Sequence, residues 1–412
     1  MNKSFDLIVV GGGAAGIMSA ITSARDGKSV LLLEKLPKIA AKLKATGGGR
    51  CNLTNTLSNE EFMAKFGRDG RFMQDALGEF DHRALKQFFK DIGVETHAPD
   101  GFRIFPTSHS SSTIISALEN ELHNLHVEVS CLQKVQKLIH VENKIVGVKT
   151  SSDTFSAPKV IVATGGLGYP TLGAQGDGYD MARELGHKTT ELYPAMMPLK
   201  TKDEWVKNCR ADTIAKVELR VDLKKHNKLR ATGDLIFTNN GIRGPVVLDF
   251  AREITPLLSK YGELPILANL TKGMNEEQLN QHLKKEAESN PHAEILKYIC
   301  ALLPEPLSLE LLHLADIDPK GTYGKISGSS KAKLINILAW TPLTISGHDG
   351  FKMAMITRGG INLKEINPKT MQSRLIYGLY FCGEVMNLDG PCGGYNLQWS
   401  FASGHLAGLL KK

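Results

Sequence analysis

The chain has 412 residues, is 42% hydrophobic and carries a formal net charge of +7. That is enough chain for a large core and two or more domains, while no run approaches the ~18 apolar residues of a membrane span and no basic segment leads into a signal-type apolar region. The six cysteines, at positions 51, 131, 209, 300, 382 and 392, include no C-x-x-C and no metal-ligand spacing, which predicts a reduced, cytoplasmic protein with no metal centre and argues against a dithiol relay.

Residues 5–10 form a short apolar run of strand length, as expected of a strand buried on both faces. Gly11-Gly12-Gly13-Ala14-Ala15-Gly16 follows, and Ala14, Ile17, Met18, Ile21 and Ala24 then recur at helical spacing, with Gly27 at the expected stop. Residues 30–33 read as a second buried strand that delivers Glu34 about 20 residues after Gly13. Strand, G-x-G-x-x-G, helix, strand and acid together predict a dinucleotide site. Gly11, Gly13 and Gly16 make the turn and allow close approach to a pyrophosphate, the helix start around Ala14 and Ala15 holds the anion, and Glu34 takes a ribose hydroxyl.

Lys35, Lys38, Lys42, Lys44 and Arg50 form a basic stretch beside this site, suited either to balancing a cofactor phosphate or to a solvated face. In the loop 46–55, glycines 47 to 49 let the backbone lie flat against a ring system, and Arg50 and Asn52 supply donors. Residues 81–92 pattern as an amphipathic helix capped by Asp81, with Leu85, Phe88, Phe89 and Ile92 inward. An edge-like segment at 102–106, a helix over 110–125, strands at 127–129 and at Val135, and a meander at 144–155 follow. Residues 160–166 read as a buried strand ending in Thr164-Gly165-Gly166. Gly166-Leu167-Gly168 is no second nucleotide site, because Pro170 follows and no helix opens there. Any nicotinamide cofactor therefore binds transiently. Asp177 is expected to cap a helix running to Leu185, with Gly186 ending it.

From about Ala195 the pattern changes. Ala215, Val217, Leu219, Val221 and Leu223 alternate with Lys216, Glu218, Arg220, Asp222 and Lys224, the signature of a half-exposed antiparallel strand. Residues 234–237 and 244–248 are expected to continue that layer, followed by helices near 275–287, 291–303, 307–316 and 330–340. A second basic stretch, Lys216, Arg220, Lys224, Lys225, Lys228 and Arg230, has no interleaved aromatics of the kind that stack single-stranded nucleic acid.

Residues 379–384 read as a strand ending in Gly383-Glu384, followed by Gly390-Pro391-Cys392-Gly393-Gly394-Tyr395-Asn396 and a helix from Leu397 to Leu410. A second acid and a second glycine-rich helix start suit FAD. Glu384 can take a ribitol hydroxyl, and amides around Gly394 can face the flavin N1–C2=O edge, where they stabilise the reduced ring. The fold class is thus α/β, a Rossmann-like FAD-binding domain (residues 1–194 and 346–412) interrupted at 195–345 by an inserted antiparallel β domain with a helical subdomain at about 272–340. The returning C-terminal motif favours an insertion over tandem domains, with the insert shaping substrate access.

The blocks Thr46-Gly47-Gly48-Gly49-Arg50-Cys51-Asn52-Leu53-Thr54-Asn55, Ala163-Thr164-Gly165-Gly166, Gly176-Asp177-Gly178 and Asp389-Gly390-Pro391-Cys392-Gly393-Gly394-Tyr395-Asn396-Leu397-Gln398-Trp399 resemble the BaiN-like (aminoacetone-oxidase-like) family of bacterial FAD-dependent oxidoreductases, over essentially the whole chain. The resemblance implies a glutathione-reductase-type fold. It implies that Gly48, Gly49, Arg50 and Asn52 line the flavin and that Lys42 falls on a basic position of the family. It places Thr164 and Gly165 under the pyrophosphate, a backbone group near Val135 on the adenine, Lys35 at the cofactor, and Asn396 and Leu397 at the flavin. Lys44 departs from an apolar family position, and Asn239-Asn240-Gly241 lacks the family's usual histidine.

These features predict an FAD-dependent oxidoreductase acting on a small molecule, by reducing an activated C=C bond or oxidising an amine, with NAD(P)H or O2 as the other partner. A flavoenzyme that modifies RNA and a non-catalytic flavin sensor are the alternatives. Stable nucleic-acid or membrane partners are not expected. His109, Tyr193, His348, Asp349, Arg358 and Asp389 are potential proton or anion partners, and none is assigned a catalytic role.

Overall fold

The computed structural model describes residues 4–210 and 213–411, so the first three residues, 211–212 and Lys412, which the domain reading above includes, lie outside it. By internal contacts the chain divides into two units: residues up to Pro194 together with those from Ala354 onward, and Ala195–Met353.

The first unit is built on a five-stranded parallel sheet in the order Leu379–Phe381, Val160–Val162, Leu7–Val10, Val30–Leu33, Glu128–Ser130. The four strands other than the edge strand Glu128–Ser130 are buried at every position. That is why they read as continuous Val/Ile/Leu runs rather than alternating ones. The sheet is Rossmann-like, and its central strand opens directly into the glycine-rich turn and the helix Ala14–Arg25. The last helix, Tyr395–Gly408, lies against that first helix. A Cβ on Gly404 would collide with the Ala15 carbonyl, so only glycine permits this approach. Ser23 Oγ donates to the Gly408 carbonyl at 2.5 Å.

Asp81 caps the helix His82–Asp91, accepting from the N–H groups of Arg83 and Ala84 at 2.9 Å, and Leu85, Phe88 and Phe89 are its buried positions, with Ile92 half-buried. Strands Val135–Val141, Lys144–Thr150 and Thr154–Ser156 form the expected meander.

The second unit is a closed six-stranded barrel ordered Leu199–Thr201, Gly241–Arg243, Arg230–Thr238, Thr213–Val221, Leu264–Asn269, Thr341–His348. The helices Glu276–Ser289, Ile295–Cys300, Glu305–Leu314 and Gly328–Ala339 belong to this unit and share its apolar core. Closure removes the sheet edges that an open antiparallel layer would leave.

Three expectations fail here for identifiable reasons. Residues 244–248 are not a strand: Gly244 precedes the helix Pro245–Tyr261, and Pro245 sits in its first turn, where its missing N–H costs nothing. Ala215 does not alternate inward with Val217: the register shifts between Ile214 and Val217, Lys216 takes φ 57°, and both Ala215 and Lys216 are exposed. The alternation also ends at Val221, because residues 222–229 turn. Finally, Asp177 is not the helix cap; Gly176 is, and Asp177 is the first residue of the helix Asp177–Glu184.

Candidate functional site

The glycine turn leaves an anion cradle. Gly13 precedes the helix Ala14–Arg25, which has no side-chain cap and no acid in its first turn, so its leading N–H groups are left for a ligand. A Cβ on Gly13 would meet nothing within 4 Å, whereas one on Gly16 would run into the Gly11 carbonyl oxygen. Gly16 therefore keeps the helix start against the strand, and Gly13 keeps the space above it open. Ala15 is buried beneath, beside Gly383. Thr164 Oγ1 is buried without a hydrogen-bond partner, next to Gly165 in a left-handed conformation (φ 70°). That hydroxyl is enclosed against Gly178, where an added Cβ would lie 2.1 Å from it, so it faces the protein interior.

Glu34 is half-buried, and its two carboxylate oxygens accept from Gly12 N–H and Leu36 N–H, each at 2.8 Å. Those bonds fix the carboxylate at the strand end and leave further lone pairs for ribose hydroxyls. Lys35 turns to Asp177, which Lys134 also pairs at 2.9 Å. Burial pushes the Asp177 carboxyl up, but the hydrogen bonds from Lys35 and Lys134 outweigh it and hold the group below its ordinary value. Val135 is buried at the start of its strand.

Glu384 follows the strand Leu379–Phe381 closely. Lys42 Nζ lies 2.7 Å from Glu384 Oε2, and Glu384 Oε1 accepts from Thr357 N–H at 2.9 Å. Gly383, just before it, donates its N–H to Ser403 Oγ at 2.9 Å.

Glycines 47, 48 and 49 are left-handed (φ 58°, 65° and 86°), and positions 48 and 49 face open space. Arg50 lies 5.4 Å from the centre of the Phe105 ring and donates to Gly47 O at 3.2 Å. The Asn52 amide, oriented to satisfy both neighbours, donates to Thr54 O at 3.0 Å and accepts from Gly394 N–H at 3.1 Å. Asn55 donates to Gly393 O at 2.9 Å. The two glycine-rich loops, far apart in sequence, are thereby stitched together. Asn396 clasps Gly390 through both its N–H (2.8 Å) and its C=O (2.9 Å). The helix begins at Tyr395 rather than Leu397, which puts Asn396 and half-buried Leu397 in its first turn. This helix start, too, has no side-chain cap and no acid. The donor set, the two uncapped helix starts and the open glycine arch fit FAD.

The potential proton carriers are each held by local partners. Exposed His109 stands 4.6 Å from the His97 ring. Tyr193 is raised by a hydrogen bond to Glu191. Burial lowers His348, whose Nδ1 accepts from Gly350 N–H at 3.0 Å, and Asp349 pairs with Lys200. Arg358 lies 3.5 Å from Asp389. Among the described residues no cluster of three or more His, Cys, Asp or Glu side chains could hold a metal ion. The sequence reading missed Thr357, Lys134 and Ser403; the only signal was Ile356-Thr357 preceding the glycine pair Gly359-Gly360.

Residues 5–410 match the HI0933-like protein Rossmann domain. The chain belongs to this family. Over 403 residues, 97% of either chain, it is 32% identical to the 3-dehydro-bile acid delta(4,6)-reductase of Clostridium scindens. It is 29% identical over 413 residues, 99% of either chain, to the ribosomal RNA dihydrouridine synthase of Haemophilus influenzae. The 3-ketosteroid delta1-dehydrogenase of Sterolibacterium denitrificans shares the fold at a TM-score of 0.57 and 12% identity, covering 99% of each chain. The 3-ketosteroid-delta4-(5alpha)-dehydrogenase of Rhodococcus jostii does so at 0.52 and 17%, covering 100% of this chain and 97% of that one. As a member of this family the chain has a Rossmann-like FAD-binding fold and is an FAD-dependent oxidoreductase. No helix among the described residues is long and apolar enough to cross a membrane.

Proposed function

We propose that this oxidoreductase reduces a carbon–carbon double bond conjugated to a carbonyl group in a small-molecule substrate, in the cytoplasm, with NAD(P)H binding transiently as electron donor. The observation that carries the reading is the full-length likeness to a delta(4,6)-reductase. Thiol chemistry supports it. Cys51 is fully buried and its thiol is pushed up to about 11 by burial, and burial raises Cys382 further. Neither is a thiolate at neutral pH, so neither relays electrons as a dithiol would.

Bound FAD supplies the hydride chemistry. Glu34 and the amides at Gly13 would hold its adenosine and pyrophosphate end, and Glu384, positioned by Lys42 and Thr357, would take the ribitol. Uracil also carries a double bond conjugated to a carbonyl, so the same chemistry extends to the substrate class in the name of the Haemophilus relative.

The test is anaerobic. Protein reduced with one equivalent of NADPH or NADH is mixed with a 4-ene-3-ketosteroid, with a primary amine, or with uridine-containing RNA. Flavin reoxidation by the enone with formation of the saturated ketone is expected. Bleaching of the oxidised protein by the amine, with no reaction of the reduced protein with the enone, overturns the reading in favour of amine oxidation. Reoxidation by RNA alone replaces the small molecule with RNA.

A further inference from the structure

The strand Arg103–Pro106 joins the glycine arch to a pair of histidines. It pairs antiparallel with Thr54–Asn55 on one side and with Thr96–His97 on the other, where His97 stands opposite Phe105. The Phe105 ring backs the arch: a Cβ on Gly47 would lie 3.6 Å from its Cε1, and the Arg50 guanidinium sits 5.4 Å from its centre. His109 packs on the same ring at 6.1 Å and meets the His97 ring edge-on at 4.6 Å. Two residues later the helix Ser111–Asn124 begins, and Ser111 Oγ donates to Lys44 O at 2.9 Å, which ties this turn to the segment leading into the arch.

Both histidines are held in costly states. His109 takes φ 50°, a left-handed conformation unfavourable to a residue with a Cβ, while its N–H donates to Pro106 O at 2.9 Å. His97 Nε2 is enclosed by protein and has no hydrogen-bond partner, although buried polar atoms ordinarily find one. An exposed imidazole is thus fixed in an unfavourable backbone conformation, against a second imidazole with an unmet nitrogen, beside the arch proposed for the flavin. The neighbouring polar side chains of the arch do not compete for a proton-donor role. Arg50 is an arginine, a side chain that keeps its proton throughout. Cys51 is fully buried, and burial pushes its thiol up to about 11. Histidine is the side chain whose ordinary titration falls near neutral pH.

We infer that His109 is the proton donor of the ene reduction and that His97 is the positioning residue that holds its ring. The inference rests on the reading proposed above. The step balances: the β-carbon of the enone receives the hydride that NAD(P)H supplies by way of FAD, and the π pair of the C=C bond passes to the α-carbon. The α-carbon then takes the proton of the His109 imidazolium as that N–H bond breaks. NAD(P)H is oxidised, the enone is reduced, and the neutral imidazole regains its proton from solvent, to which His109 is exposed.

The experiment follows the two half-reactions of the FAD-loaded chain separately, by anaerobic flavin absorbance. In His109→Gln, flavin reduction by NADH or NADPH should run at the wild-type rate, while reoxidation by saturating 4-ene-3-ketosteroid should slow about 100-fold or more. His109→Ala should be slowed likewise, and imidazole added to the buffer should restore its reoxidation about tenfold. His97→Ala should also slow reoxidation, and His97→Phe, which keeps an edge-on ring against His109, should recover most of the loss. A readout without turnover is ring-nitrogen NMR of the oxidised holoprotein: the His109 signals, assigned by their loss in His109→Gln, should shift when the enone is added. FAD content and circular dichroism of each variant report folding separately. Reoxidation of folded His109→Gln at the wild-type rate overturns the inference and leaves ene reduction standing. So does a His109→Ala deficit that imidazole does not relieve, or His109 signals that the enone does not move. A His97→Ala rate equal to wild type removes the part given to His97. A wild-type protein that is bleached by NADH or NADPH but not reoxidised by the enone overturns ene reduction itself, and this role with it.

Discussion

Lys42 Nζ and Glu384 Oε2 stand 2.7 Å apart although 342 residues separate them in the chain. The pair ties the loop that follows the first acid to the acid returned by the last strand of the sheet, and Thr357 N–H fixes its other oxygen. Both side chains are about a fifth exposed, 26% and 17%, so the coupling should exceed that of a surface pair. A double-mutant cycle of Lys42→Ala and Glu384→Ala, measured by urea unfolding of the apoprotein, should give a coupling of about 1 kcal/mol. FAD release from either single variant should be faster than from wild type.

Glu34 should carry the adenosine ribose. A charge-assisted pair of this kind is worth ~1.5–3 kcal/mol, so Glu34→Ala should weaken FAD retention roughly ten- to a hundredfold. Its bonds to Gly12 and Leu36 N–H add a stability loss of about 1 kcal/mol. FAD titration by fluorescence quenching reads the first effect and thermal unfolding of the apoprotein the second.

Gly13 and Gly16 should separate binding from folding. Gly13→Ala has room in the apoprotein and should fold normally yet bind FAD at least tenfold more weakly, because the added methyl enters the space kept for the pyrophosphate. Gly16→Ala drives its methyl into the Gly11 carbonyl and should cost about 3 kcal/mol or more of stability. Circular dichroism melts of the two apoproteins, run side by side, make the comparison.

His187 should make the FAD-binding unit acid-sensitive. It is 2% exposed, its Nε2 lies 2.8 Å from Ser373 Oγ, and burial lowers its pKa from the ordinary 6.5 although Glu365 opposes the shift. The unfolded chain therefore binds a proton near pH 6.5 that the folded chain accepts only at lower pH. Stability should be fully present above pH 6.5 and fall as pH drops from there toward the folded pKa. Thermal midpoints from pH 7.5 to 5 should decline in wild type and decline less in His187→Gln.

Every residue assigned to FAD lies outside Ala195–Met353. Replacing that stretch by a short Gly/Ser linker should leave a protein that binds FAD, with affinity within about tenfold of wild type. Loss of binding in a soluble, folded product would show that the barrel contributes to the cofactor site.

The sequence exposes the parts of the fold whose pattern is local. The buried strands around Gly11 and Val160 declare themselves because both faces are covered, and Gly13, Gly16 and Glu34 have fixed spacing. The barrel was half-legible: alternation marked its strands, but closure depends on pairings between Thr213–Val221, Leu264–Asn269 and Thr341–His348, which no local pattern encodes. The strand expected at 244–248 failed because Val246 and Val247 serve a buried helix face as readily as a strand. At the site, Glu34 and Glu384 were visible as acids ending strands. Thr357 was not, because it acts on Glu384 through its backbone N–H, a group every residue but proline carries.

The packing of Gly404 and Gly408 against the first helix also orders events during synthesis. The barrel strands and the helices between them are contiguous from Leu199 to His348, so they are all translated while the parallel sheet still lacks its Leu379–Phe381 strand. Until Tyr395–Gly408 is made, the face of the first helix that carries Ala15 and Ser19 lacks its partner, although the helix Ser111–Asn124 already packs on another face. The barrel unit can therefore be expected to fold before the unit that flanks it in sequence has received all its strands.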